Sequence, residues 1–200
     1  MKKKFKNSAL LVVDIVNSCC REEYEIKEWN ITFKKIRKMV PKLKRFIEKY
    51  KALGGEVVYT NCVCWDKKHL PKNINEVYKD PTLCYYTKDK SGLGREFYLL
   101  KPVGDKVFTK NTYDAFTNPK LDSYLKKKKI TDLFISGVFT EGCVQATISG
   151  AFSKGYNIIV LKDLVETRDD KESQLVQKLL LKRFWAGLYG YPKKSSQILK

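Results

Sequence analysis

Two hundred residues at 23.3 kDa, 43% of them hydrophobic, are enough to bury a sizeable core, which excludes a mainly disordered chain. The apolar runs fall far short of the ~20 residues of a membrane-spanning helix, and the basic start Met1–Lys4 leads into a short stretch broken by Asp14 rather than a signal peptide, so a cytoplasmic protein with reduced cysteines is expected. Forty basic against twenty-two acidic residues give a charge of +18, but thirty-four of the forty are Lys rather than the Arg that forks onto phosphates and guanines. The charge therefore points to a solvated surface, with no specific nucleic acid and no membrane as partner.

In chain order, Ala9–Val16 is short, apolar and β-branched, as a buried strand is. Ile31–Lys51 follows as a helix, with Phe33, Ile36, Val40, Leu43 and Ile47 on one face, Pro41 as a point of kinking and Gly54-Gly55 as its stop. Glu56–Thr60 is the second strand. The interval 62–104 has little periodicity and reads as a pocket wall or lid with short helical pieces, because long irregular stretches in a compact domain are usually functional. Strand Lys106–Thr109, helix Leu121–Lys128, strand Asp132–Phe139, helix Cys143–Lys154, strand Tyr156–Leu161 and helix Asp170–Leu188 complete the series. Such alternation predicts one α/β domain over residues 1–200: a three-layer α/β/α, Rossmann-like parallel sheet with helices on both faces and right-handed crossovers.

In an open parallel sheet, ligands bind beyond the carboxyl ends of the strands. That rule selects Asp14, the segment 61–64, Lys110 and the segment 139–143, so that an acid, a base and a thiol converge. Cys143 opens a predicted helix, where unpaired N–H groups and the helix dipole favour thiolate. A nearby Lys110 would lower the thiol further and burial would raise it. Since His69 is the lone histidine and lies in the irregular segment, the base for a thiol nucleophile is a carboxylate, Asp14.

Three segments resemble the isochorismatase-like cysteine hydrolases, which include nicotinamidases, N-carbamoylsarcosine amidase and ureidoacrylate amidases. Ala9–Asn17 resembles the family's first strand with its catalytic Asp, Phe108–Phe116 the segment carrying its Lys, and Ser136–Thr147 the segment carrying its nucleophile; Gly92–Phe97 is similar to the stretch before the Lys strand. The resemblance implies a triad of Asp14, Lys110 and Cys143, an oxyanion hole from the backbone N–H groups of Phe139 and Cys143, and a cis Val138–Phe139 peptide. It also implies hydrolysis of a C–N bond in a small amide or ureide through a thioester, and a homo-oligomer, dimer or tetramer. No cofactor and no metal are expected.

The pattern departs from the family at Val16, where members often carry Gln, and at Cys62 and Cys64, which stand at the metal motif of nicotinamidases. Cys62, Cys64 and His69 suit a soft metal but are short of a full ligand set, and ordinary packing is the simpler reading. Position beside the strand ends nominates Asn17, Trp65, Tyr113 and Phe116 as substrate-pocket residues. The competing reading is a non-catalytic scaffold or ligand-binding protein that keeps the fold. Ether hydrolysis of the isochorismate type needs no cysteine, so Cys143 speaks against it.

Overall fold

Five strands, β1 (Ser8–Val13), β2 (Glu56–Cys62), β3 (Lys106–Lys110), β4 (Asp132–Gly137) and β5 (Asn157–Val165), form one parallel sheet in the order β3-β2-β1-β4-β5. The computed structural model describes residues 4–63, 67–77, 79 and 92–199, with the side chain of Trp29 excepted. Among them no helix is long and apolar enough to cross a membrane.

β1 is buried at every position because both of its faces are covered. Alternate side chains point to opposite faces of a strand. Leu10 and Val12 accordingly join one core with helix α1 (Lys34–Ala52), whose Ile36, Val40, Leu43, Ile47 and Tyr50 lie on its inward stripe. Ala9, Leu11 and Val13 join the other core, built with Leu121 and Leu125 of α3 (Pro119–Lys127), Ile148 and Ala151 of α4 (Gln145–Ser153), and Trp185. The layered arrangement expected from the alternation is the one observed.

Helix starts follow local chemistry. α3 begins two residues before the apolar periodicity does, since Asn118 accepts a hydrogen bond from the Lys120 N–H and Pro119 takes the first helical position. Asp170 caps α5 (Lys171–Leu179) by accepting from Ser173 N–H. The long helix expected over 170–188 is interrupted: a wider turn over Leu180–Phe184 separates α5 from α6 (Trp185–Leu188) and rotates Trp185 into the core. α1 runs unbroken through Pro41. A short helix, α2 (Lys72–Val77), lies in the irregular interval, and α7 (Ser195–Ile198) packs near β5.

β1 and β4 are each shorter than the apolar runs that predicted them, and the cause in both cases is a left-handed residue at the strand end. Asp14 has φ +51°, which ends β1 and turns the chain so that Val16 N–H donates to the Asp14 carbonyl at 2.8 Å. Aspartate is among the few residues that adopt this region readily. Gly137 has φ +124°, and a Cβ there would fall 2.0 Å from the Val13 carbonyl oxygen, so only glycine lets β4 end against β1.

Candidate active site

The sheet order changes direction at β1, with β2 on one side and β4 on the other, and this is where open parallel sheets leave a crevice. Asp14 follows β1, Cys143 lies in the turn after β4, and Lys110 is the last residue of β3. Two strand spacings of about 4.8 Å separate β3 from β1. The long lysine side chain spans them, and it is 2% exposed.

Its ammonium nitrogen lies 2.7 Å from Asp14 Oδ2, 3.2 Å from Cys143 Sγ, 3.1 Å from Cys62 Sγ and 3.0 Å from the Thr112 carbonyl oxygen. Three N–H donors thus serve four acceptors. The other carboxylate oxygen of Asp14 accepts from Thr60 Oγ1 at 2.9 Å, and Cys62 Sγ stands 3.6 Å from Oδ2. Asp14 is therefore fixed from β2 and β3 at once.

Cys143 does not open a regular helix. It sits in a wide turn, Thr140–Val144, where Gly142 adopts φ −105°, ψ −108°, and α4 starts at Gln145. The Phe139 carbonyl accepts from the N–H groups of Gly142 and Val144, and Thr140 N–H donates to the Glu166 carbonyl. Glu141, two residues before Cys143, accepts from the Thr167 hydroxyl and pairs with Arg168 at 3.2 Å, which ties this turn to the chain after β5. The Val138–Phe139 peptide is cis.

Burial works against the Lys110 charge, but Asp14 and the two sulfurs outweigh it and hold the ammonium well above its ordinary pKa. The Cys143 thiol is also raised well above its ordinary value, first by its hydrogen bond with Cys62, then by burial, and by Asp14, with Lys110 pulling the other way. Of the two opposing influences named from the sequence, burial acts with Cys62 and Asp14 against the Lys110 ammonium at this thiol.

The remaining nominated residues have distinct places. Asn17 is buried, and its side-chain amide donates to the Leu93 carbonyl at 2.9 Å while its backbone N–H donates to the Glu96 carbonyl. Together with the Tyr98 N–H donated to the Ile15 carbonyl, this fastens the segment 93–98 to the chain that follows β1. Tyr113 is 38% exposed beyond β3. Phe116 is buried in the core, its ring 5.6 Å from that of Tyr156. Trp65 and Cys64 lie outside the described residues.

The sequence selects Cys62 within the segment 61–64, with soft-metal ligation or ordinary packing as its readings, and does not single out Thr60. Thr60 and Cys62 share one face of β2 by the two-residue period, and both reach Asp14. The signal was the pairing of β2 with β3, in which Cys62 stands opposite Lys110. Among the described residues, Asp14, Cys62 and Cys143 are the group whose ligand atoms lie within 4.8 Å of one another and that could hold a metal. The Lys110 ammonium, however, lies within hydrogen-bonding distance of all three, so a cation there would meet a positive charge.

Residues 8–185 match the Isochorismatase domain family. The chain belongs to the isochorismatase family. Within it, a ureidoacrylate amidohydrolase, RutB, of Yersinia enterocolitica is 28% identical over 170 residues, covering 78% of this chain and 74% of that protein. A protein of Arabidopsis thaliana named a probable inactive nicotinamidase is 26% identical, with 82% of each chain covered. A cysteine hydrolase from Pseudomonas syringae superposes with a TM-score of 0.80 at 19% identity, covering 96% of this chain and 91% of that one, which shows the shared isochorismatase-like α/β fold.

Proposed function

We propose that this protein is a cysteine hydrolase that cleaves a C–N bond of a small amide or ureide through a thioester. The observation that carries the reading is the single buried ammonium of Lys110 held at once by Asp14 and Cys143. An Asp–Lys pair of this kind supplies a base without leaving net charge buried, and a lysine fixed between base and nucleophile keeps both in register.

In the proposed cycle Asp14 takes the proton from Cys143 as sulfur attacks the substrate carbonyl carbon, and the carbonyl electrons move onto oxygen. Backbone N–H groups of Phe139 and Cys143 are assigned to that oxyanion; those of Thr140, Gly142 and Val144 already donate to backbone carbonyls. Protonated Asp14 then gives its proton to the leaving nitrogen, which departs as ammonia or an amine. Water, deprotonated by Asp14, attacks the thioester, and the proton returns to sulfur as the acid leaves. Lys110 stays charged throughout, opposing the negative charge that passes between Asp14 and the sulfur.

The relative named an amidohydrolase of ureidoacrylate supports an amide or ureide as substrate class. The raised Cys143 thiol and the relative named as probably inactive favour a second reading, a ligand-binding scaffold. Release of ammonia or amine from a panel of small primary amides and carbamoyl compounds separates the two. Hydrolysis by wild type that falls at least about 10³-fold in Cys143→Ala and Asp14→Asn is the expected result. Turnover unchanged in Cys143→Ala, or ligand binding across the panel without turnover, would overturn it.

A further inference from the structure

A second thiol stands where the proposed mechanism needs none. Cys62 ends β2, Cys143 follows β4, and their sulfurs lie on the same ammonium at 3.1 and 3.2 Å and within 4.8 Å of each other. Both residues are partly exposed, whereas Cys19 and Cys20 are buried in the core beneath Val16 and Phe33. The two ends of the pair are anchored independently, one by strand pairing with Lys110 and the other by the turn that Phe139, Glu141 and Glu166 hold. A disulfide needs its sulfurs about 2.05 Å apart with Cβ atoms about 3.5–4.5 Å apart, so joining the two residues requires the sulfurs to close from their present separation on the Lys110 ammonium.

We infer that Cys62 and Cys143 are a reversible oxidation site, in which a hydroperoxide joins them as a disulfide that masks the nucleophile. In the first step the thiolate of one cysteine attacks the O–O bond; an S–O bond forms, and hydroxide or alkoxide leaves to take a proton. The second thiol then attacks the sulfenic sulfur, its proton departing with the hydroxyl as water. In sum two thiols and one hydrogen peroxide give one disulfide and two waters, sulfur being oxidised and peroxide oxygen reduced. The ammonium favours whichever sulfur is ionised, and it also explains why oxidation rather than a thiolate-bound metal is the chemistry assigned: the centre of the Asp14, Cys62 and Cys143 donor set is already cationic.

This inference rests on the hydrolase reading only for what the disulfide blocks; its formation is read by mass and needs no activity. Reduced protein is treated with hydrogen peroxide near stoichiometry, quenched with an alkylating reagent and mapped by peptide mass. The expected result is a chain lighter by two hydrogen atoms, a cross-linked peptide pairing Cys62 with Cys143, loss of both thiols from alkylation and return of both with dithiothreitol. In Cys62→Ala given two or more equivalents of peroxide, Cys143 is expected instead to gain two oxygen atoms, one from each peroxide with a water leaving each time, and dithiothreitol does not restore it. A wild-type protein whose Cys143 gains oxygen at the same dose with no Cys62–Cys143 peptide overturns the inference, as does a cross-link to Cys19 in its place. A protein that forms the disulfide but hydrolyses no amide would retain this site and lose the hydrolase reading.

Discussion

At Lys110, Asp14 and the two sulfurs compete for one ammonium, so each neighbour's removal moves the Cys143 thiol in a defined direction. Cys62 and Asp14 raise it; Lys110 lowers it. The rate of Cys143 alkylation against pH, resolved by peptide mapping, is expected to rise at higher pH in wild type than for an ordinary thiol. It shifts to lower pH in Cys62→Ala and in Asp14→Asn, and to still higher pH in Lys110→Ala. Alkylation of wild-type Cys143 that is complete well below the ordinary thiol range would contradict the upward direction that Cys62 and burial give this thiol. Lys110→Ala also leaves Asp14 as an unpaired buried charge, a change that costs about 3–5 kcal/mol in comparable pairs; Lys110→Arg is the charge-retaining comparison, although its larger planar head does not fit a point-like site. Asp14, Lys110 and Cys143 were legible in the sequence because each follows an apolar run that ends at the same edge of the sheet. Cys62 was legible as part of the segment 61–64 at that edge, but its contact with Lys110 was not, because β2 read as ending at Thr60 and the observed two-residue extension pairs Cys62 with Lys110.

Among the elements, the strand ends carry the precision of the site, and the apolar runs in the sequence overstate their length. Val138, Phe139, Ile15 and Val16 are as apolar as the strand residues before them, so hydrophobic pattern alone does not mark where Asp14 and Gly137 turn the backbone. The break in the helix expected over 170–188 was hidden for the same reason, since Leu180, Leu181 and Phe184 continue its apolar pattern through the wide turn. Gly137→Ala tests the strand-end geometry. A positive φ alone costs a non-glycine residue about 1–3 kcal/mol, and here the new methyl also meets the Val13 carbonyl at 2.0 Å, against backbone that has no rotamer to change. A stability loss of about 3 kcal/mol or more is expected in urea unfolding, with activity lost as β1 and β4 part and Asp14 and Cys143 move out of register. An Ala variant with a wild-type midpoint would show that the two strands tolerate separation. The segment 93–98 is held differently, by the Asn17 amide and backbone bonds to Glu96 and Tyr98. These bonds tie an interval with no periodicity to the residues that follow Asp14.

Over the whole molecule the sequence carries a net charge of +18, and the Asp14–Lys110 pair sits within it. The fold class was readable from the alternation of apolar runs, but charge says nothing of fold; its consequences fall on what approaches the crevice. A positive shell raises the local concentration of an anion over a Debye length of about 10 Å at 0.1 M salt and about 3 Å at 1 M. An amide or ureide carrying a carboxylate is therefore expected to lose about 3- to 10-fold in kcat/KM between low salt and about 0.5 M, mainly through KM. An uncharged amide of the same size would share the proposed chemistry at Asp14, Lys110 and Cys143 without the attraction, and its kcat/KM is expected to change less than about 2-fold over the same range. Paired measurement on the two substrates separates steering from any effect of salt on the proposed triad, through which both would react. Equal salt responses would mean that the lysines serve solvation alone, whereas a response confined to the acid would make the surface charge part of how this protein selects what it hydrolyses.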